Sequence, residues 1–174
     1  MGDQFQEPGR RNGRIGRRVL RKQKEESPLN DTELYYEDLD LGDEIGPVGR
    51  VVTDEQVLEY VTISREGPGA SRFTSAEVAK SEGLPNPIVP GAMNIAIMSQ
   101  LITGWSPTVT LRKLDCVFRG LVPHNKPLTL KGLITDKDIV DGTPRLECDV
   151  TMENEEGTPL VIGKATVIVP MREG

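Results

Sequence analysis

Histidine occurs once among the 174 residues, at position 124. That scarcity excludes, within one chain, a metal site built from several imidazoles and a mechanism that needs two of them. Cysteine occurs only twice, as Cys116 and Cys148. Each lies inside a strand-like alternation and neither stands at a metal-ligand spacing to another Cys or His, so no metal is expected and the pair fits a reducing compartment. Aromatic residues make up 4% of the chain, and none interleaves with the arginines near the N-terminus to stack on bases. No apolar run is long enough to span a bilayer, and the basic N-terminus lacks the apolar segment of a secretory signal. The expectation is a cytoplasmic, soluble protein without a membrane partner.

What is present is one domain's worth of chain, with charge unevenly placed. The formal net charge is -6, yet residues 1–24 hold eight Lys or Arg against two acids. The remaining body is strongly acidic and therefore a poor binder of nucleic acid or anionic membrane. Residues 1–33 combine glycine, proline and a basic cluster with few apolar side chains, which reads as a flexible arm. Such an arm serves as a solubilising tail, as a strap onto an acidic neighbouring subunit, or as a nucleic-acid contact. Its composition leaves all three open.

Residues 34–174 carry the folded pattern. Glu44 to Val52 reads as a strand, and Thr53 with Gln56 forms a capping box for a helix over DEQVLEYVT. The loop SREGPGASRF follows, then a second capping signal at Thr74 and Glu77 before a short helix that should end near Gly83. GLPNPIVPGAMNIAIMSQLI opens on Pro85, Pro87 and Pro90 and then runs from Gly91 to about Thr103 with only Asn94, Ser99 and Gln100 as clear polar interruptions. A helix apolar on nearly every side should be buried over most of its surface, with the prolines fixing its angle of entry. After Trp105 the period becomes two. Leu114, Cys116 and Phe118 mark one strand, Leu128, Leu130 and Ile134 a second, and Leu146, Cys148, Val150 and Met152 a third. VIGKATVIV is the fourth, and HNKP, DGTP and NEEGTP are the turns between them. The expected fold class is α+β: a long antiparallel sheet wrapped around one buried helix.

FTSAEVAKSEGLPNPIVPGAMNIAIMSQLI, together with YYEDLDLGDEI and FRGLVPHNKPLTLKGLIT, resembles the MaoC-like enoyl-CoA hydratase and dehydratase family, a branch of the hot dog fold. The resemblance covers roughly residues 34 to 170. It implies an acyl thioester, typically of coenzyme A, as ligand, with no separate cofactor. It also implies assembly as a homodimer or as a heteromer with another hot dog subunit. By the same resemblance, the backbone N–H groups of Gly91 and Ala92 form an oxyanion hole for the thioester carbonyl, at a helix start whose dipole favours developing negative charge.

The catalytic motif is not retained. The family places an aspartate and, five residues on, a histidine in a Gly-Asp-x-Asn-Pro-Ile-His segment. Counting back from the short helix puts Pro68 and Phe73 at those positions, and counting forward from the preceding helix puts Glu66 and Ser71 there. Pro90 stands where the family has a histidine before the glycine. Hydration of an enoyl thioester needs a group that exchanges a proton near neutrality, which serine alone does not provide. Glu66, Ser71 and Asn94 are the remaining candidates for catalysis, with Arg72 as a forked donor for a carboxylate or phosphate. Three readings follow: a thioester-binding, non-catalytic subunit of a hydratase complex; a divergent hydro-lyase or isomerase using Glu66; and a structural hot dog protein without ligand. His124, in a turn between strands, is expected to be solvated.

Overall fold

The computed structural model describes residues 32–64 and 69–172. The N-terminal arm falls almost wholly outside these residues, and so does Glu66. The elements run in the order 3-10 turn Tyr36–Asp38, β1 (Glu44–Val51), α1 (Asp54–Ile63), α2 (Ala76–Ser81), α3 (Gly91–Thr103), β2 (Thr110–Phe118), β3 (Pro127–Val140), β4 (Thr143–Glu153) and β5 (Pro159–Ile168).

Local chemistry accounts for most of these boundaries. Thr53 caps α1 as a true capping box: its Oγ1 accepts from Gln56 N–H at 3.3 Å, and Gln56 Oε1 accepts from Thr53 N–H at 3.1 Å. The cap of α2 lies one residue later than expected. Ser75, not Thr74, accepts from Val78 N–H, because the Thr74 hydroxyl is taken by Ser71 N–H in the preceding turn. Gly83 ends that helix with φ +82°. The β3–β4 turn places Asp141 and Gly142 at φ 51° and 76°, two consecutive left-handed residues that suit the twist of a tight hairpin.

The strands form one antiparallel sheet in the order β1-β3-β4-β5-β2. Both β1 and β2 are therefore edges. The alternation read from β4 is borne out, since Leu146, Cys148, Val150 and Met152 are all buried. They face Ile97, Met98, Leu101 and Ile102 of α3 within a single apolar core. The sheet bends at β1, where the register shifts between Ile45 and Val48 and Gly46 adopts φ +90°. A Cβ on Gly46 would stand 3.0 Å from the carbonyl oxygen of Leu130. This is the expected α+β hot dog arrangement.

One expectation needs correction. Helix α3 is buried on one face only: Ala92, Ile95, Ala96 and Gln100 are exposed in the single chain. A five-stranded sheet covers one side of a helix, and in this chain α1 and α2 do not cover the opposite side.

Candidate functional site

The start of α3 is set by the extended segment before it. Ile88 forms a bridge with Pro123, and Val89 N–H donates to Val122 C=O at 2.9 Å. Ile88 N–H reaches Arg72 C=O at 3.4 Å. The segment is thus clamped between the β2–β3 connection and the turn that carries Ser71 and Arg72. Pro90, at φ -56° and ψ 140°, caps the helix without a side-chain acceptor. The first backbone bond of the helix is Asn94 N–H to Pro90 C=O at 3.0 Å. The N–H groups of Gly91, Ala92 and Met93 have no acceptor among the described residues, at the end of the helix where the dipole is positive.

Asn94 closes this first turn. It is 3% exposed, its Nδ2 donates to Val89 C=O at 3.4 Å, and its buried Oδ1 has no hydrogen-bond partner among the described residues. A buried amide oxygen left in this way is costly and marks a place where a donor fits. Gly91 lies under the ring of Phe118, at the end of edge strand β2: a Cβ would stand 3.3 Å from Phe118 Cζ. Admission of that ring is a structural reason for glycine here, independent of any ligand. Ala92 is exposed.

Beside these residues, α3 borders two shallow depressions. One, of about 280 Å³, is lined by Met93 and Ile97 with Val52, Tyr60, Ile63 and Arg50 among others. The second, of about 340 Å³, shares Arg50 and Ile97 and continues along Leu101 and Trp105 beside β1. Together they make a trough along the helix from a point two residues beyond Gly91, with apolar side chains interspersed with Glu44, Arg50, Gln56, Glu59 and Gln100.

The other sequence candidates are engaged elsewhere. Ser71 is half-buried, and its Oγ lies 3.3 Å from Thr74 Oγ1 and accepts from Phe73 N–H at 3.3 Å, so its hydroxyl serves its own turn. Arg72 is exposed and pairs through Nε with Glu82 at 3.2 Å, while its guanidinium lies 5.7 Å from the Phe73 ring centre. Gly91, Ala92 and Asn94 come together in one turn. Ser71 and Arg72 lie outside it, and the Arg72 carbonyl accepts from Ile88 N–H in the segment that leads into it.

His124 departs from its expectation. The turn that carries it folds back onto the start of α1, where Asn125 N–H donates to Val52 C=O at 2.8 Å. The imidazole is consequently 8% exposed, with Nδ1 2.8 Å from Asp54 Oδ1. No periodicity could have shown this contact, because the partners lie 70 residues apart.

Among the described residues, no group of three His, Cys, Asp or Glu side chains is placed to hold a metal, and no helix is long and apolar enough to cross a membrane. No protein-family model matches the chain, and no curated protein does. Solved structures do match. The MaoC-like dehydratase from Rhodospirillum rubrum superposes with a TM-score of 0.70 at 17% identity, over 81% of this chain and 99% of that one. The unliganded R-hydratase PhaJ1 from Pseudomonas aeruginosa gives 0.69 at 17% identity, over 80% and 88%. The ChsH1-ChsH2 complex from Mycobacterium tuberculosis gives 0.63 at 13% identity, over 75% and 98%. At these identities the likeness is one of fold, and it agrees with the hot dog arrangement of the sheet and helix α3.

Proposed function

We propose that the chain binds an acyl thioester, of coenzyme A in the first instance. The carbonyl rests on the N–H groups of Gly91 and Ala92, and the acyl chain lies along the trough beside Met93 and Ile97. The observation that carries this reading is the first turn of α3, uncapped by any side chain, whose three N–H groups and nearby Asn94 Oδ1 have no partner among the described residues. Oriented N–H groups at a helix start suit a polarised carbonyl oxygen, and here no side chain of the described residues competes for them.

Assembly is part of the proposal. Edge strand β2 and its continuation expose Val117, Phe118 and Leu121, while the uncovered face of α3 exposes Ala92, Ile95 and Ala96. An unpaired edge beside an apolar surface suits pairing with a second copy or another hot dog subunit. The ChsH1-ChsH2 and HadBC structures are complexes of two named components. By analogy with them, this chain is a thioester-binding member of an assembly whose chemistry resides in a partner. The reading of the chain as itself an enzyme rests on Glu66, which lies outside the described residues.

The test is to titrate the purified chain with crotonyl-CoA by calorimetry and, in parallel, to follow hydration and solvent-deuterium exchange at the α-carbon. Saturable binding without either reaction supports the binding subunit. Exchange that disappears in Glu66→Gln moves the assignment to an enzyme, and absence of binding leaves the structural hot dog protein.

A further inference from the structure

His124 and Asp54 form the one histidine–carboxylate pair among the described residues. The Asp54 carboxyl is held below the usual carboxylate range by the hydrogen bond of His124 first and that of Asn125 second, so it is ionised at neutral pH. A carboxylate only accepts hydrogen bonds, so the bond at 2.8 Å places the ring hydrogen on Nδ1. In the neutral ring Nε2 then presents a bare lone pair. That atom is buried and has no partner among the described residues. The ring borders a depression of about 340 Å³, lined also by Asp54, Glu55, Leu58, Phe73, Thr74 and Pro87.

We propose that this depression is a second ligand site, which takes a small neutral molecule with an apolar body and a hydroxyl group, the hydroxyl donating to His124 Nε2. Leu58, Phe73 and Pro87 supply the apolar contact. Asp54 and Glu55 stand at the site with no Lys or Arg among its lining residues, which repels a carboxylate or a phosphate. An ammonium group would have to shed its water to reach a buried atom, a cost that a hydroxyl largely avoids. Because Nε2 lies beneath the surface, entry of the hydroxyl moves a lining side chain. Phe73 is the largest of these and sits in a turn outside any helix or strand. The site is separate from the thioester reading, which concerns α3 and an anionic thioester, so either can fail alone.

A single histidine makes the test direct. In full-length protein labelled with ¹⁵N-histidine, each ring nitrogen gives one signal, and Nδ1 should be the protonated nitrogen of the neutral ring. Addition of 1-hexanol should move the Nε2 signal saturably, whereas hexanoate and hexylammonium at equal concentration should leave it in place. Asp54→Asn removes the charge that fixes the tautomer and should weaken hexanol binding about fivefold or more. An Nε2–H tautomer overturns the proposal, as does an Nε2 signal unmoved by hexanol up to its solubility limit or moved equally by hexanoate. Should Asp54→Asn fail to fold, the hexanol and hexanoate titrations of the parent decide the matter.

Discussion

Replacing Gly91 separates a glycine that exposes N–H groups to a ligand from one that merely admits Phe118. The structure places a Cβ at this position 3.3 Å from Phe118 Cζ and 3.7 Å from both Cε atoms. Alanine therefore requires the ring to give by a few tenths of an ångström. Because Phe118 is 47% exposed, it can swing outward. Gly91 sits in the first helical turn, where alanine recovers about 0.5–1 kcal/mol of backbone entropy, so Gly91→Ala should change stability little. Valine adds two methyl groups against the same ring, and overpacking of this kind costs about 1–3 kcal/mol, toward the low end beside a mobile side chain.

Binding should respond differently. Two N–H groups donating to a thioester carbonyl are worth about 0.5–1.5 kcal/mol each, so shielding them costs about 1–3 kcal/mol, or about five- to 150-fold in Kd. Calorimetric titration of Gly91→Val with crotonyl-CoA should show that loss, while circular dichroism and Tm show a folded protein. The decisive variant is Gly91→Val combined with Phe118→Ala. If glycine is there only to admit the ring, removing the ring restores both stability and binding. If the N–H groups hold the ligand, stability returns and binding stays lost. Binding restored to the parent Kd in the double variant would refute the oxyanion reading.

The remaining predictions concern packing, thiol chemistry and assembly. Gly163 of β5 lies where a Cβ would come within 2.6 Å of the Asp115 carbonyl oxygen of the paired strand, so Gly163→Ala should destabilise by more than about 2 kcal/mol in chemical denaturation. Burial pushes the Cys148 thiol up to about 12, well above the ordinary thiol range, whereas Cys116 is only partly buried. In the folded protein at pH 8, iodoacetamide should modify Cys116 well before Cys148. Because the folded pKa is the higher one, the Cys148 contribution to stability is whole below about pH 9 and declines as pH rises toward 12, which alkaline denaturation midpoints of the parent and Cys148→Ala would show. Light scattering at micromolar concentration should give at least twice the 19.1 kDa chain mass, and Val117→Lys on edge strand β2 should yield the monomer.

The sequence carried the architecture well because its signals were periodic and local. Alternation in β4 named every core residue of that strand, and Thr53 with Gln56 located the start of α1 to the residue. The strand after Pro127 extends to Val140 through DKDIV, a polar stretch whose alternation is too weak to read and which is held by pairing with β4. The cap of α2 was misplaced because Thr74 and Ser75 are both good caps, and a contact to Ser71 chose between them. The site was legible only in part. The N–H groups of α3 follow from a proline-bounded helix start, but the pairing of His124 with Asp54 depends on how the β2–β3 connection folds onto α1, which no local pattern encodes.

The exposed face of α3 turns a mismatch between pattern and structure into an argument about assembly. A helix apolar on nearly every side is costly for a chain whose sheet covers only half of it, since each exposed apolar side chain forfeits about 25 cal/mol per Å² of burial. The composition is explained if the second half is covered by another subunit. Phe118 links this to ligand binding: it closes β2, the edge available for pairing, and its ring lies on Gly91. On the proposed reading, a subunit that pairs with β2 meets the same aromatic ring that shelters the thioester carbonyl. Affinity for crotonyl-CoA should therefore fall in the monomeric Val117→Lys variant, although Val117 itself touches no part of the proposed carbonyl site. Unchanged affinity in a folded monomer would separate assembly from binding and confine Phe118 to packing.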